Sequence, residues 1–318
     1  MLSLSYYLSL TDAFNPEITI NSGQMFLWEK LDGTWYGTYG DHILKLSSDH
    51  SASFNNDPVK TDTRLSIVQK IRFESYPEMH NWPTRVFRLD DDISKILSDI
   101  STDALMEKTI RKGYGLRIMR QEPCQCIVSF VCSSNTNIVM IRKMLRNLSK
   151  KFGRKLNLDG RNFFTFPTIK SLDKADINEI RSCGVGYRAK AIKAVAKSIV
   201  EHEIEFSVLS NVSYYEAKSA LLKIYGIGNK IADCILLFSL DKLEAFPIDI
   251  WIARALERHY KQVYCTNDSS INLQPDRGLS QFQYQYISEK MRQYFGKYSG
   301  YAQQYLYYYM RKTENLKW

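Results

Sequence analysis

A chain of 318 residues, 44% of them hydrophobic, can bury a substantial core and can hold one large domain or two to three small ones. Its 43 Lys and Arg against 34 Asp and Glu leave a formal charge of +9, which favours a polyanionic partner, and no apolar run approaches the roughly twenty residues of a membrane-spanning helix. Six cysteines, at 124, 126, 132, 183, 234 and 265, show neither zinc-site pairing nor an iron–sulfur cluster, so free thiols in a reducing compartment are expected.

The start of the chain has no basic segment ahead of its mildly apolar run, which reads as a soluble, intracellular protein. Residues 1–60 hold Lys30, Lys45 and Lys60 against seven acids, so the basic surface belongs to the later part. Within that stretch, 18–54 consists of short aromatic and β-branched runs broken at Asn21-Ser22-Gly23, Asp32-Gly33 and Gly40-Asp41, which predicts antiparallel strands joined by turns. Residues 1–98 are expected to form a small α+β domain. From about Ile100 the pattern turns helical, with stretches at 104–112, 126–132, 138–151 and 177–183, and 99–318 is expected to be a helical region. Asn135 falls in a polar break between two apolar helices, where an asparagine reads as a turn or cap residue. Arg188, within CGVGYRAK at 183–190, reads as a solvated or phosphate-facing charge at a helix start.

The stretch 221–249, LLKIYGIGNKIADCILLFSLDKLEAFPID, follows a helix whose start is marked by Ser213 and Glu216, a capping-box pair that predicts a helix over about 214–224. Gly226 and Gly228 then allow a tight turn whose amides can approach a partner closely, and a second helix restarts near Asn229. The result is helix, hairpin, helix over about 213–240. On the second helix Ile231, Ile235 and Phe238 give a core face, while Lys230 and Cys234 share another, so an amine and a thiol look out together. Pro247 and Asp249 mark a further start, with Asp249 as N-cap of a helix over 250–259. Around 295–312, Tyr294, Tyr298, Tyr301, Tyr305 and Tyr308 fall near helical spacing and read as core packing; Gln303 and Tyr307 stand four apart on another face.

Three strings in this order, SGQMFLW at 22–28, MRQEPCQCIVSFVCSSNTN at 119–137, and GIGNKIADC at 226–234 followed by PID at 247–249, resemble the helix-hairpin-helix DNA glycosylases, in particular the 8-oxoguanine DNA glycosylase branch. The resemblance implies an α+β, mainly α-helical glycosylase fold with an N-terminal antiparallel β-sheet domain, and a monomer that excises 8-oxoguanine from duplex DNA. It implies Gly23 as the glycine whose carbonyl receives the N7 proton of 8-oxoguanine. Guanine N7 is itself an acceptor, so one fixed carbonyl attracts the oxidised base and repels the normal one, and an unpaired buried acceptor costs roughly 1–3 kcal/mol. By the same resemblance Asn135 and Arg188 contact the cytosine left behind, Tyr187 wedges into the opened stack, Gln303 reads the base edge, and Tyr307 and Cys234 stack on its faces. The amides of Gly226 and Gly228 would meet a backbone phosphate, helped by a monovalent cation on the hairpin carbonyls. No cofactor and no side-chain metal site is implied.

The chemistry needs a nucleophile at the sugar C1′. A lysine attacks only when neutral, and burial disfavours its ammonium form. Lys230 in this role displaces the base, the aminal opens to a Schiff base, and β-elimination of the 3′ phosphate gives lyase activity. Asp249 faces the positive charge that builds on the sugar, and its cap bonds are expected to favour the ionised form. The chain also departs from the family. Met140 stands where an arginine usually reads the orphaned cytosine, which predicts weaker preference for cytosine opposite the lesion. Tyr307 replaces the usual phenylalanine, and Trp251 stands where a histidine is typical near the DNA backbone. Without the resemblance, Lys230 after a Gly-x-Gly turn reads as a phosphate contact. Two alternatives follow: a helix-hairpin-helix glycosylase for another damaged purine, and a non-catalytic DNA-binding protein. The compartment would be the cytoplasm of a prokaryote or the nucleus of a eukaryote.

Overall fold

The aromatic and β-branched runs of the N-terminal part form an antiparallel five-stranded sheet in a computed structural model that describes residues 6–9, 14–48, 70–265, 271 and 273–313. Its strands are β1 (Tyr6–Ser9), β2 (Trp28–Leu31), β3 (Thr34–Tyr39), β4 (His42–Ser48) and β5 (Lys70–Tyr76), in the order β1-β5-β4-β3-β2. The expected turns at Asp32-Gly33 and Gly40-Asp41 join β2 to β3 and β3 to β4, with φ of +46° at Asp32, +79° at Gly33 and +57° at Gly40, as tight hairpins require. The turn at Asn21-Ser22-Gly23 joins no two strands. It leaves a short helix, Pro16–Ile20, whose start is fixed by Asn15 accepting from the Ile18 amide at 3.0 Å. A cap and a first-turn proline, both local signals, outweigh the β-branched run Ile18-Thr19-Ile20. The end of the expected strand run, to Phe54, lies outside the described residues.

Period-two alternation sorts the sheet into two faces. Trp28, Trp35, Leu44, Leu46 and Phe73 pack with Trp82, Val86 and Phe87 of the helix Trp82–Phe87. On the other face Tyr36 and Ile43 pack with Leu158 and Phe163 of a second hairpin, β6 (Lys155–Leu158) and β7 (Arg161–Phe164). Gly37 pairs with Trp28, and a Cβ there would stand 2.2 Å from the indole, so only glycine leaves room for the ring.

The helical pattern continues with adjusted ends. Ala104–Lys112, Pro123–Cys132, Ile138–Phe152, Ala189–Val200, Tyr214–Leu222, Asn229–Ser239, Ile250–His259, Gln281–Phe295 and Ser299–Thr313 surround the larger core. Their starts are capped by side chains: Asp103 and Asn137 each accept from an amide in the first turn, and Ser213 with Glu216 and Ser280 with Gln283 form capping boxes. Asn137, not Asn135, is thus the cap before 138; Asn135 has φ +46° in the turn that precedes it. The helix expected over 177–183 is regular only at Ile177–Ile180 and continues as a π-helical turn, Arg181–Val185, where Gly184 at φ +82° departs from helical geometry. The helix expected over 295–312 is divided from its predecessor by Gly296 at φ +70° and begins at Ser299. Tyr301, Tyr305 and Tyr308 are buried, the core role expected of that stripe. The Ile93–Ile100 helix runs across residue 98, and its Ile93, Ile96 and Ile100 share the large core with the later helices. All six cysteines are free, and no described helix is long and apolar enough to cross a membrane.

Candidate active site

The second helix of the hairpin, Asn229–Ser239, packs against Pro123–Cys132 and borders a cleft of about 1240 Å³. Gly23, residues 133–139, the starts of Ile250–His259 and Gln281–Phe295, and the last helix also form its walls. Lys230, in the first turn of Asn229–Ser239, lines this cleft. Its Nζ donates to Ser133 Oγ at 2.8 Å and lies 5.4 Å from the Phe130 ring centroid. Ser133 in turn donates to the Phe130 carbonyl at 2.7 Å, which turns its lone pairs toward the lysine. Among the described residues the lysine's hydrogen bond thus goes to Ser133 and not to Asp249.

Asp249 caps Ile250–His259 as expected, its Oδ1 accepting from the amides of Trp251 at 3.0 Å and Ile252 at 2.9 Å. As expected these bonds favour the ionised form, but burial outweighs them. Burial pushes the carboxyl above its ordinary value; the Ile252 amide, the Lys230 charge and the Trp251 amide oppose the shift without cancelling it. Cys234, one turn beyond Lys230, lines the cleft but does not look out. It is 3% exposed, because residues 231 to 238 are buried all round the helix and not along one stripe. Burial raises its thiol to about 12, with Lys230 opposing and Asp233 and Asp249 adding, so it offers polarisable surface and not a nucleophile.

Gln303 and Tyr307 reach the same cleft from Ser299–Thr313. The buried Oε1 of Gln303 has no hydrogen-bond partner among the described residues, and neither has Oδ1 of Asn229, a cleft residue that the sequence reading does not single out. The Tyr307 hydroxyl receives a bond from Arg311 at 3.5 Å, the partner it was expected to need. Burial and the Asp249 charge raise its phenol.

Gly23, at φ +81°, lines the cleft on a loop whose flanking carbonyls are tied back. Gln304 Nε2 donates to the Ser22 carbonyl at 2.9 Å, and Gln121 Nε2 to the Gln24 carbonyl at 2.6 Å. Gln24 itself donates to the Arg117 carbonyl at 2.8 Å and accepts from the Met119 amide at 2.7 Å. The strings at 22–28 and 119–137 therefore meet in space. The sequence reading gives Ser133, Gln121 and Gln304 no role, although Ser133 and Gln121 lie within the string at 119–137 and Gln304 adjoins Gln303.

Gly226 and Gly228 also line the cleft, and a Cβ at 226 would stand 2.3 Å from that of Ala191. Asn135 lines it too, and so does Trp251, whose ring lies 4.7 Å beneath the Arg254 guanidinium. Tyr187, Arg188 and Met140 stand outside the lining. Tyr187 is 63% exposed, and Arg188, 4.6 Å over its ring, donates to the carbonyls of Ser134 and Asn135 and so braces the Asn135 turn from behind. Met140 is 41% exposed. Among the described residues no group of three His, Cys, Asp or Glu could hold a metal ion.

The helix-hairpin-helix brings a lysine and a capping aspartate to one cleft, and residues 128–264, which hold both, match the model of the HhH-GPD superfamily of base excision DNA repair proteins. Residues 7–127 match the model of the 8-oxoguanine DNA glycosylase N-terminal domain, and the chain belongs to the 8-oxoguanine DNA glycosylase family. A probable N-glycosylase/DNA lyase of Methanothermobacter thermautotrophicus is 28% identical over 248 residues, 72% of this chain and 73% of the relative. The N-glycosylase/DNA lyase OGG1 of Arabidopsis thaliana is 32% identical over 74% of this chain, which spans 63% of that relative's length. The apo-form of Clostridium acetobutylicum 8-oxoguanine glycosylase/lyase is similar in structure with a TM-score of 0.78 and 29% identity, over 97% of this chain and 98% of that one.

Proposed function

We propose that this protein is a bifunctional DNA glycosylase and AP lyase that excises 8-oxoguanine from duplex DNA in base excision repair. The observation that carries the reading is that Lys230, Asp249, Gly23, Cys234, Gln303 and Tyr307, distant in sequence, line one cleft. The Clostridium relative has been crystallised with double-stranded DNA containing cytosine opposite 8-oxoG, which supports duplex DNA as the partner.

In this reading an extruded nucleoside fills the cleft. The Gly23 carbonyl accepts the N7 proton, Gln303 reads the base edge with the amide whose Oε1 lacks a partner, and Cys234 and Tyr307 contact the two faces of the base. Lys230, released from Ser133, bonds through its nitrogen to C1′ while the glycosidic bond breaks; the base leaves with the bonding electron pair and takes up the proton that the nitrogen sheds. The aminal opens to a Schiff base, loss of a C2′ proton follows, and the 3′ phosphate departs. Asp249 faces the positive sugar, and its half-buried charge is worth most when that cation forms. Asn135, Tyr187 and Arg188 serve the opened duplex, and the Gly226 and Gly228 amides a backbone phosphate. Residues 222–230 contain no acid, so a cation at the hairpin would rest on neutral carbonyls, which fits a monovalent ion. Residues 1–98 act as the scaffold that presents Gly23, and 99–318 as the catalytic region. The protein acts as an intracellular monomer, cytoplasmic or nuclear according to its source.

Borohydride trapping on duplexes carrying 8-oxoguanine opposite each of the four bases tests the reading, with Lys230→Gln beside the wild type. An adduct formed by the wild type and lost in the variant supports both lesion and nucleophile. Base release without an adduct would remove Lys230 from that role, and binding without release would leave only a DNA-binding module.

A further inference from the structure

The helix that carries Lys230 and Cys234 holds a second carboxylate, Asp233, which is fully buried. Its Oδ1 accepts from the Tyr214 hydroxyl at 2.7 Å, and its Oδ2 accepts from Lys218 Nζ at 2.9 Å and the Tyr284 hydroxyl at 2.8 Å. Lys218 also donates to the Tyr214 hydroxyl at 2.8 Å. Tyr214 and Lys218 belong to the first helix of the hairpin and Tyr284 to Gln281–Phe295, so one carboxylate gathers three helices.

The polarity of this network is fixed. Tyr284 spends its single proton on Asp233, so its oxygen can only accept from elsewhere. Burial and the Asp233 charge push the phenol far above its ordinary value, and it keeps that proton at any working pH. Its oxygen accepts from the Ile248 amide at 3.1 Å. Ile248 immediately precedes Asp249, and Tyr284 itself lines the cleft. A directed chain, Ile248 amide to Tyr284 hydroxyl to Asp233, thus ties the peptide before Asp249 to the helix that carries Lys230. The cap bonds of Asp249 do something different: they aim its carboxylate relative to its own helix.

We infer that Tyr284, oriented by the buried Asp233–Lys218 pair, is a positioning residue that sets the spacing between Lys230 and Asp249. The inference rests on the reading of those two as the catalytic pair. Reacting groups tolerate little displacement, and a shift of about 1 Å can cost on the order of a hundredfold in rate. Substrate affinity, spread over the hairpin, the 22–24 loop and the last helix, does not depend on that spacing.

Tyr284→Phe keeps the ring and deletes the relay. Single-turnover excision from an 8-oxoguanine:cytosine duplex is measured with saturating enzyme, at a temperature where circular dichroism shows both proteins folded, together with the Kd for the same duplex. The rate is expected to fall by about tenfold or more while Kd changes by less than about threefold. Asp233→Asn is expected to slow the rate similarly, and the double variant to be no slower than the slower single one, since both break one relay. An unchanged rate in Tyr284→Phe, a rate loss matched by an equal loss of affinity, or additive effects in the double variant overturns the inference. Should Asp233→Asn fail to fold, Tyr284→Phe decides alone. A wild type that excises nothing sinks the functional reading and the inference with it; a wild type that excises while Tyr284→Phe keeps pace sinks only the inference.

Discussion

The interior of the hairpin and the cleft beside it treat their carboxylates in opposite ways. Inside the hairpin, Asp233 is met by an ammonium and two hydroxyls, and both of its oxygens have partners. In the cleft, Asp249 has two backbone amides and no ammonium bonded to it, and Gln303 and Asn229 nearby keep oxygens without partners among the described residues. Full satisfaction marks the part that must hold its shape. Incomplete satisfaction in a cleft leaves room for a ligand, because a bare polar group that lines a cavity can be completed by what enters it.

The largest test of this contrast is Asp233→Ala, which leaves the Lys218 ammonium buried and unpaired. It should cost about 3–5 kcal/mol in urea unfolding, and a loss under about 1 kcal/mol would break the distinction. Asp249→Asn should behave in the reverse manner. Excision should fall roughly 10²–10³-fold. Thermal stability near neutral pH should not fall, because asparagine still caps the helix and the cost of a half-buried charge is removed. The sign follows from a folded value raised above the unfolded one: the wild-type penalty is absent below roughly pH 3.9 and grows as pH rises through the folded value. Melting curves from pH 3 upward should therefore show the variant gaining on the wild type; a variant less stable at pH 7 than at pH 3, relative to wild type, would contradict it.

Smaller effects sharpen the outer edge of the cleft. Met140→Arg should increase discrimination for cytosine opposite the lesion by about 1–3 kcal/mol, read as the ratio of excision rates across the four pairings. An unchanged ratio would separate position 140 from the estranged base. Ser213→Ala removes the cap of the hairpin's first helix and should cost about 1 kcal/mol in stability, without altering the ratio of excision rates.

The sequence exposed those features whose signals are local. The capping box at Ser213 and Glu216, the Asp249 cap, the glycine turn and the two hairpins of the sheet all depend on residues within a few positions of one another, and each stands where the pattern placed it. Local signals also competed. Asn15 and Pro16 turned a β-branched run into a helix, and Gly184 and Gly296 ended regular helix where hydrophobic spacing carried on. In the cleft, the family strings pointed to most of the lining residues, but not to Ser133 as the partner of Lys230, nor to Gln121 and Gln304 as the ties on the Gly23 loop. A serine, or a glutamine among glutamines, carries no pattern of its own, and its partner lies 97 to 282 residues away.

By itself the sequence determined the helix-hairpin-helix, the caps, the strand alternation and the identities of a lysine and an aspartate available for chemistry. All of these follow from periodicity, backbone preference and side-chain type, which are properties of neighbouring residues. Only the tertiary structure decided the environments. Packing on every side of Asn229–Ser239 buried Cys234 and Asp233, burial raised the Asp249 carboxyl against its own cap bonds, and the fold brought Tyr284 between the segments that carry Lys230 and Asp249. Desolvation and hydrogen-bond direction are set by what surrounds a group in space, and a linear chain does not contain that information until it has folded.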